Sequence, residues 1–281
     1  MNVALYVVAT PIGNLADLSL RARQVLGTVS WIAAEDTRHA APLLKQLGAT
    51  AKVFAAHEHN EREAAGRILA LLAAGETVAL ISDAGTPGIS DPGAKLVAAV
   101  RAAGFAVVPI PGACAAVTAL SASGMPAHEW LFCGFLPPKS GQRQKALADF
   151  ARLPYALVFY EAPHRILACL ADLAAALGDR TLTIARELTK TFEQIHTLPL
   201  AEAAAWLEAD ANRQRGEFVL IVWPSTTAAD ETAAEGARIL HLLLSDGLPV
   251  KQAAKLAAQI SGGSKNALYA QALEIQAANS Q

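Results

Sequence analysis

Short apolar runs alternate with amphipathic stretches through the first half of the chain. Residues 4–9, 31–34, 52–55, 77–81 and 106–110 have the length and β-rich composition of buried strands. Helical spacing fills the intervals, over a segment that starts near Ser19 and then over 40–47, 61–74, 95–103 and 114–123. In the first helix Leu20, Val25 and Leu26 are predicted to face the core and Arg21 and Arg23 to face outward, with Asp17 or Ser19 as the cap. Repeated β-then-α alternation predicts a parallel sheet with helices on both faces, because parallel neighbours need a crossover connection. Such a sheet gathers its strand-end loops along one edge, here residues 10–15, 35–38, 56–60, 82–91 and 111–114. That edge is where open α/β sheets bind ligands.

The alternation pauses at Gly124-Met125-Pro126, which places an N-terminal α/β domain at residues 1–122 and a second one at 123–225. Predicted strands of the second domain are 130–135, 155–160, 182–185, 192–198 and 218–223, with helices ending at Leu177 and spanning 200–208. Leu182 and His196 are too close in sequence for a helical crossover, so this sheet is mixed, with antiparallel pairing. Residues 136–152 read as a loop carrying Lys139, Arg143, Lys145 and Arg152 against Asp149, a local basic segment suited to RNA phosphates or to a solvated helix start. Residues 224–230 read as a Ser/Thr-rich linker opening a C-terminal appendage, 226–281, with helices over 239–244, 250–260 and 267–273. Lys251, Lys255 and Lys265 fit a helix-turn-helix-like RNA contact. The competing reading is a structural cap that buries Ile239, Leu243 and Ile260 against the body, and the recognition module is preferred.

Composition narrows the class. The 281 residues are 53% hydrophobic and 17% charged, enough for two globular cores. A net charge of −2 gives no overall attraction for nucleic acid, so an RNA partner has to be met by a local patch. Cys114, Cys133 and Cys169 have neither disulfide nor zinc spacing, which fits a reducing compartment. With no cationic leader and no apolar run long enough to span a bilayer, the expectation is a soluble cytoplasmic protein without a membrane partner.

The densest chemistry lies between the fourth strand and its helix. Three glycines, two prolines and two aspartates occupy the eleven residues from Asp83 to Gly93. Gly85, Gly88 and Gly93 permit positive φ and close backbone approach, and Asp91-Pro92 is read as cap and first helical residue, leaving Asp83 at the strand tip. Glu35-Asp36-Thr37-Arg38 ends the second strand in the same way. His57 and His59 lack the i, i+4 spacing and third ligand of a zinc site, so no metal is expected.

Six segments together resemble one family: Thr-Pro-Ile-Gly-Asn-Leu at 10–15, Glu-Asp-Thr-Arg at 35–38, the 82–93 loop, Pro-Gly-Ala at 111–113, Tyr-Glu-Ala-Pro-His-Arg at 160–165 and Arg-Glu-Leu-Thr-Lys at 186–190. In order and spacing over residues 3–224 the chain resembles the tetrapyrrole-methylase superfamily, and within it the branch that methylates ribosomal RNA at a cytidine 2′-oxygen. The resemblance implies a two-domain α/β fold with S-adenosylmethionine in the cleft between the domains, a homodimer, and small-subunit (16S) ribosomal RNA as partner. Thr10-Pro11-Ile12-Gly13 stands where the porphyrinoid enzymes carry a more glycine-rich turn, which favours the RNA branch. Candidate cofactor contacts are Pro11, Asp83, Gly85, Thr86, Ile89, Gly112, Ala113, Ala115, Ala116, Phe159 and Leu188. Candidate catalytic groups are Glu35, Asp36, Glu187 and Lys190, with the identity of any base left open, and candidate RNA contacts are Arg38, Lys139, Arg143, Lys145, Lys251 and Lys255. Transfer to a ribose hydroxyl is an in-line displacement in which alignment contributes most and a base assists. A C-methyltransferase acting on a porphyrin-like ring and a non-catalytic RNA-binding module are the alternatives.

Overall fold

The structure is a computed structural model, and it describes residues 1–151 and 153–278, apart from the side chains of 226–234 and 276–278. Arg152 of the basic segment lies outside the described residues.

Five strands, β1 (Leu5–Val8), β2 (Trp31–Ala34), β3 (Lys52–Ala55), β4 (Val78–Ile81) and β5 (Val107–Ile110), form the first sheet in the order β3-β2-β4-β1-β5, all parallel. Helices α1 (Leu20–Leu26), α2 (Thr37–Gln46), α3 (Glu61–Ala73), α4 (Ala94–Ala102) and α5 (Ala115–Ala122) follow the strands in turn. Strand alternation divides the core: Tyr6, Val8 and Ile81 pack with α1 and α2, while Leu5, Val78 and Leu80 pack with α3 and α4. All four residues of β4 are buried, as expected for a central strand covered on both faces.

Helix starts explain two departures from the sequence reading. The Ser19 hydroxyl accepts from the Ala22 N–H at 3.1 Å and caps α1, so the buried stripe is Ala22, Val25 and Leu26, and Leu20 is 86% exposed rather than in the core. Asp91-Pro92 does not begin a helix. Instead α4 starts at Ala94 behind Gly93, whose φ of 139° reverses the chain. Glu61 of α3 secures that start, accepting from the Gly93 N–H at 3.4 Å and pairing with Lys95 at 2.7 Å.

The second sheet contains β6 (Trp130–Phe135), β7 (Ala156–Glu161), β8 (Thr181–Arg186), β9 (Gln194–Pro199) and β10 (Phe218–Val222), ordered β6-β7-β10-β8-β9. Only β6 and β7 run parallel; β10 pairs antiparallel with β7 and β8, and β8 antiparallel with β9. One face is covered by α6 (Ser140–Phe150), α7 (Ile166–Leu177) and α8 (Ala203–Glu208). The opposite face, with Val158, Ala185, Val219 and Ile221, packs against Ala116 and Ala119 of α5 and against Ile12, which joins the two halves of the body.

Of the segment read as a loop, residues 140–150 are helix, because Leu147 and Phe150 supply an apolar stripe that packs on the second core. The linker expected at 224–230 is also helical from Thr226, where α9 (Thr226–Ser245) begins. It is followed by α10 (Val250–Ser261) and α11 (Lys265–Ala278), which close a core of their own around Leu240, Ala254, Ala257, Leu268 and Ala272. Ile239 and Leu243 belong to that core and Ile260 is 65% exposed, so the residues named for a cap serve the three-helix unit itself or face solvent. Gly262, at φ 76°, ends α10 in the left-handed conformation that a Cβ disfavours.

Candidate active site

Three strand ends of the first sheet are tied together by hydrogen bonds. Thr10 and Gly85 exchange N–H···O=C bonds of 2.8 and 3.1 Å, joining the loops after β1 and β4. The Thr86 hydroxyl reaches the Ala113 carbonyl at 2.9 Å and adds the loop after β5. Gly85 holds a φ of 79°, and a Cβ on Gly112 would lie 2.8 Å from the Ala9 Cβ, so small residues are required where these loops meet.

The second sheet contributes a strained turn. Glu187 (φ 50°) and Thr189 (φ 66°) are both left-handed without being glycine, each at a cost of about 1–3 kcal/mol. What holds them is a polar knot: the Glu187 N–H donates to the Glu217 carbonyl at 3.0 Å, and the Glu217 N–H returns to Glu187 Oε1 at 3.1 Å. Lys190 Nζ donates to Glu187 Oε1 at 2.9 Å and to Glu217 Oε2 at 2.8 Å. Gly216 (φ 90°) leaves the room that Glu187 fills, since a Cβ there would overlap its side chain. Gly13 does the same beneath Lys190, Thr189 and Leu188. Burial alone would raise the Glu187 carboxyl, but the Lys190 ammonium and the Glu217 N–H outweigh it and hold it below its usual range. Burial alone would lower Lys190, and the two carboxylates instead raise it. Lys190 is thus a charged donor at neutral pH, not a base.

Two cavities open at the joint. The first, about 340 Å³, has apolar walls from Ile12, Ile89, Leu188 and Val219 and polar groups from Thr86 and Asp91. Burial pushes the Asp91 carboxyl up, the Ser82 hydroxyl opposes this, and the charge of Asp83 adds to it. The second, about 530 Å³, lies between the 10–15 loop and α2 and includes Asp83 and Lys190. Asp83 is fixed there by two neighbours: its Oδ1 accepts the Asp36 N–H at 3.1 Å, and its own N–H donates to Glu35 Oε2 at 3.2 Å. Burial raises the Glu35 carboxyl, partly offset by that N–H. Asp36 caps α2 and is held well below the usual carboxylate range by the Arg38 guanidinium.

Residues 4–204 match the family described as Tetrapyrrole (Corrin/Porphyrin) Methylases. The chain belongs to this family. Residues 230–276 match the RsmI C-terminal HTH domain. The ribosomal RNA small subunit methyltransferase I of Pseudomonas aeruginosa is 52% identical over 275 residues, 97% of each chain. That of Escherichia coli O157:H7 is 52% identical over 273 residues, 97% of this chain and 95% of its own. Among solved structures, the methyltransferase CobJ aligns with a TM-score of 0.59 at 21% identity, over 79% of this chain and 94% of its own. Uroporphyrin-III C-methyltransferase of Thermus thermophilus, crystallised with S-adenosylhomocysteine, aligns with a TM-score of 0.55 at 19% identity, over 78% of this chain and 97% of its own. At such identities the likeness is one of fold.

Within this tetrapyrrole-methylase body the expected site residues separate into groups. Gly85, Thr86, Ile89, Ala115 and Leu188 line the first cavity, whereas Pro11, Asp83, Arg38 and Lys190 line the second. Gly112 and Ala113 support the loops from behind, and Glu35, Asp36 and Glu187 brace neighbours that face a cavity. The Ala116 N–H is taken by the Tyr160 hydroxyl at 3.0 Å, which leaves it no donor for a ligand. Phe159 is a correction: it is fully buried on the α6–α7 side of the sheet, its ring tilted 58° against that of Phe150, and strand alternation gives the cavity face to Tyr160. Tyr160 is seated by the Phe132 and Phe135 rings, 5.0 and 5.7 Å away, and burial raises its hydroxyl.

Arg143 is the second correction. Only 3% of its side chain is exposed; Nε donates to Asp172 Oδ2 at 2.6 Å and the guanidinium reaches the carbonyls of Pro137, Pro138 and Ala168. It joins α6 to α7 and is closed to phosphate. Lys139, just before α6, and Lys145 on it are exposed, as are Lys251 and Lys255 on α10, and Arg38 is exposed while paired with Asp36. Among the described residues no cluster of three His, Cys, Asp or Glu side chains has metal-site geometry. Sequence reasoning missed Ile12, Tyr160 and Glu217, and it gave Asp91 only a capping role. Tyr160 sits in the quoted 160–165 motif, but Glu217 has no signal beyond the preceding Gly216.

Proposed function

We propose that this protein is an S-adenosylmethionine-dependent methyltransferase that modifies a cytidine ribose 2′-oxygen in small-subunit (16S) ribosomal RNA. The observation that carries the reading is the two-cavity joint between strand-end loops and the 186–190 turn, in a chain 52% identical over 97% of its length to proteins named for small-subunit ribosomal RNA methylation. The working form is a cytoplasmic homodimer, divided into residues 1–122, 123–225 and 226–281.

The first cavity fits the cofactor. Its apolar walls suit an adenine ring, and Gly85 lets the backbone approach closely because a Cβ there would already lie 3.4 Å from Ile12. Asp91 offers a carboxylate acceptor to ribose or ammonium groups, and Thr86, whose hydroxyl proton goes to the Ala113 carbonyl, offers its oxygen as a second acceptor. When bound, S-adenosylmethionine supplies a methyl group on a positively charged sulfur. The chain's own part is alignment: the loop pairing at Thr10 and Gly85 and the braced turn at Glu187 fix both walls of the joint, and alignment of this kind is worth several kcal/mol of barrier. Exposed Lys139, Lys145, Lys251 and Lys255 supply phosphate contacts distant from the chemistry, in keeping with a large RNA substrate.

Calorimetry tests the cofactor site. Gly85→Val places a branched side chain at φ 79°, which L residues adopt only at a cost of about 1–2 kcal/mol, beside Ile12. Affinity for S-adenosylmethionine should fall roughly tenfold or more while the far-ultraviolet spectrum is unchanged. Equal affinity in a folded variant would move the cofactor elsewhere.

A further inference from the structure

Ile12, Ala84 and Glu217 line both cavities, so a group passing from one to the other crosses between them. Resting on the methyltransferase reading above, we infer that the second cavity receives the acceptor nucleotide turned out of its strand, and that Glu217 at the junction accepts the proton of its ribose hydroxyl.

Size and chemistry agree. At about 530 Å³ the second cavity is of ligand-pocket dimensions, and Pro11 and Leu43 offer apolar surface to the faces of a base. Gln46 and Asp83 provide a donor and acceptors for its edge, which is how enzymes read a nucleotide removed from its stack. Asp83 is held by the Asp36 N–H, a second point of rigidity that a reading group needs. Lys190 holds Glu217 Oε2 at 2.8 Å, leaving Oε1 for the hydroxyl. The same strained turn places Leu188 in the first cavity and Lys190 in the second, so one element sets the distance between cofactor and acceptor. As the ribose oxygen bonds the methyl carbon, the carbon–sulfur bond breaks with its electron pair going to sulfur, which becomes a neutral thioether, and the hydroxyl proton goes to Glu217.

The test uses the full chain with small subunits from a strain lacking the gene. Leu15→Trp and Gln46→Trp fill the second cavity from exposed positions, so folding is not at risk. Each should weaken equilibrium binding of the subunit and lower kcat/KM for it by about tenfold, with affinity for S-adenosylmethionine unchanged by calorimetry. Glu217→Gln, at a side chain 77% exposed, should lower kcat about 100-fold with subunit and cofactor affinity both retained. Wild-type subunit binding and kcat/KM in both tryptophan variants would overturn the pocket, and an unchanged kcat in Glu217→Gln would overturn the role of that carboxylate. A wild-type protein that methylates no subunit would instead strike the function proposed above.

Discussion

Gly13 has no unusual φ, yet the structure leaves no room for a side chain on it. A Cβ at this position would lie 2.5 Å from Lys190 Cγ, 2.8 Å from Thr189 Oγ1 and 2.9 Å from the Leu188 carbonyl oxygen. The lysine stem can swing aside. The carbonyl cannot, because it sits between two left-handed residues already held by the Glu187–Glu217 backbone pair. Gly13→Ala should therefore displace the turn as a unit, at the ~1–3 kcal/mol usual for overpacking, out of a total stability of about 5–15 kcal/mol. Urea unfolding should show that loss, and methylation should fall more steeply because Leu188 and Lys190 leave both cavities together. Adding Thr189→Gly removes the Oγ1 clash and the strain at φ 66°, so the double variant should recover part of the stability, a coupling that independent sites do not show. Wild-type stability and activity in Gly13→Ala would refute the claim that this contact sets the turn.

The buried Asp172 carboxylate predicts acid sensitivity. Burial alone would raise it, but donors from Gln144, Ser140 and Arg143 hold its folded value below the ordinary one, so its stabilisation is full above the unfolded value of about 3.9 and is lost as pH falls through the folded value. Asp172→Asn should cost about 3–5 kcal/mol at pH 7 and flatten the acid limb of stability against pH; identical limbs would refute it. The exposed pair Lys139 and Lys145, changed together to Ala, should reduce the slope of log affinity for RNA against log salt by about 0.7–0.9 per lost contact without changing cofactor affinity, and an unchanged slope would mark that helix face as merely solvated.

Much of the fold was legible because local periodicity and tertiary burial agree in it. β2, β3 and β6 occupy the residues that apolar runs delimit, and the antiparallel return from β8 to β9 follows from spacing alone. Errors arose where one residue of phase decides a side chain's environment. Phe159 and Tyr160 are equally aromatic, and only the pairing of β7 with β10 determines which looks into the joint. Arg143 looks like its neighbours Lys139 and Lys145, and its burial depends on Asp172, far along the chain on another helix. Asp91 resembles a cap because Pro follows it, yet Glu61 supplies that anchor from a neighbouring helix. Glu217 was invisible for the same reason: it gains meaning only from a strained turn some thirty residues earlier. The glycine-rich loops were legible since their backbone conformations require those residues, whereas the two-cavity division depends on how the sheets meet.

The most direct measurement follows the methyl group itself. Small subunits from a strain lacking the gene, incubated with the protein and methyl-labelled S-adenosylmethionine, are digested and their nucleosides separated by mass. The account predicts label on the ribose of a cytidine, with the adjoining phosphodiester made resistant to alkali because its neighbouring hydroxyl is blocked. Label on a base, or subunits left unlabelled by a folded protein that binds the cofactor, would contradict it.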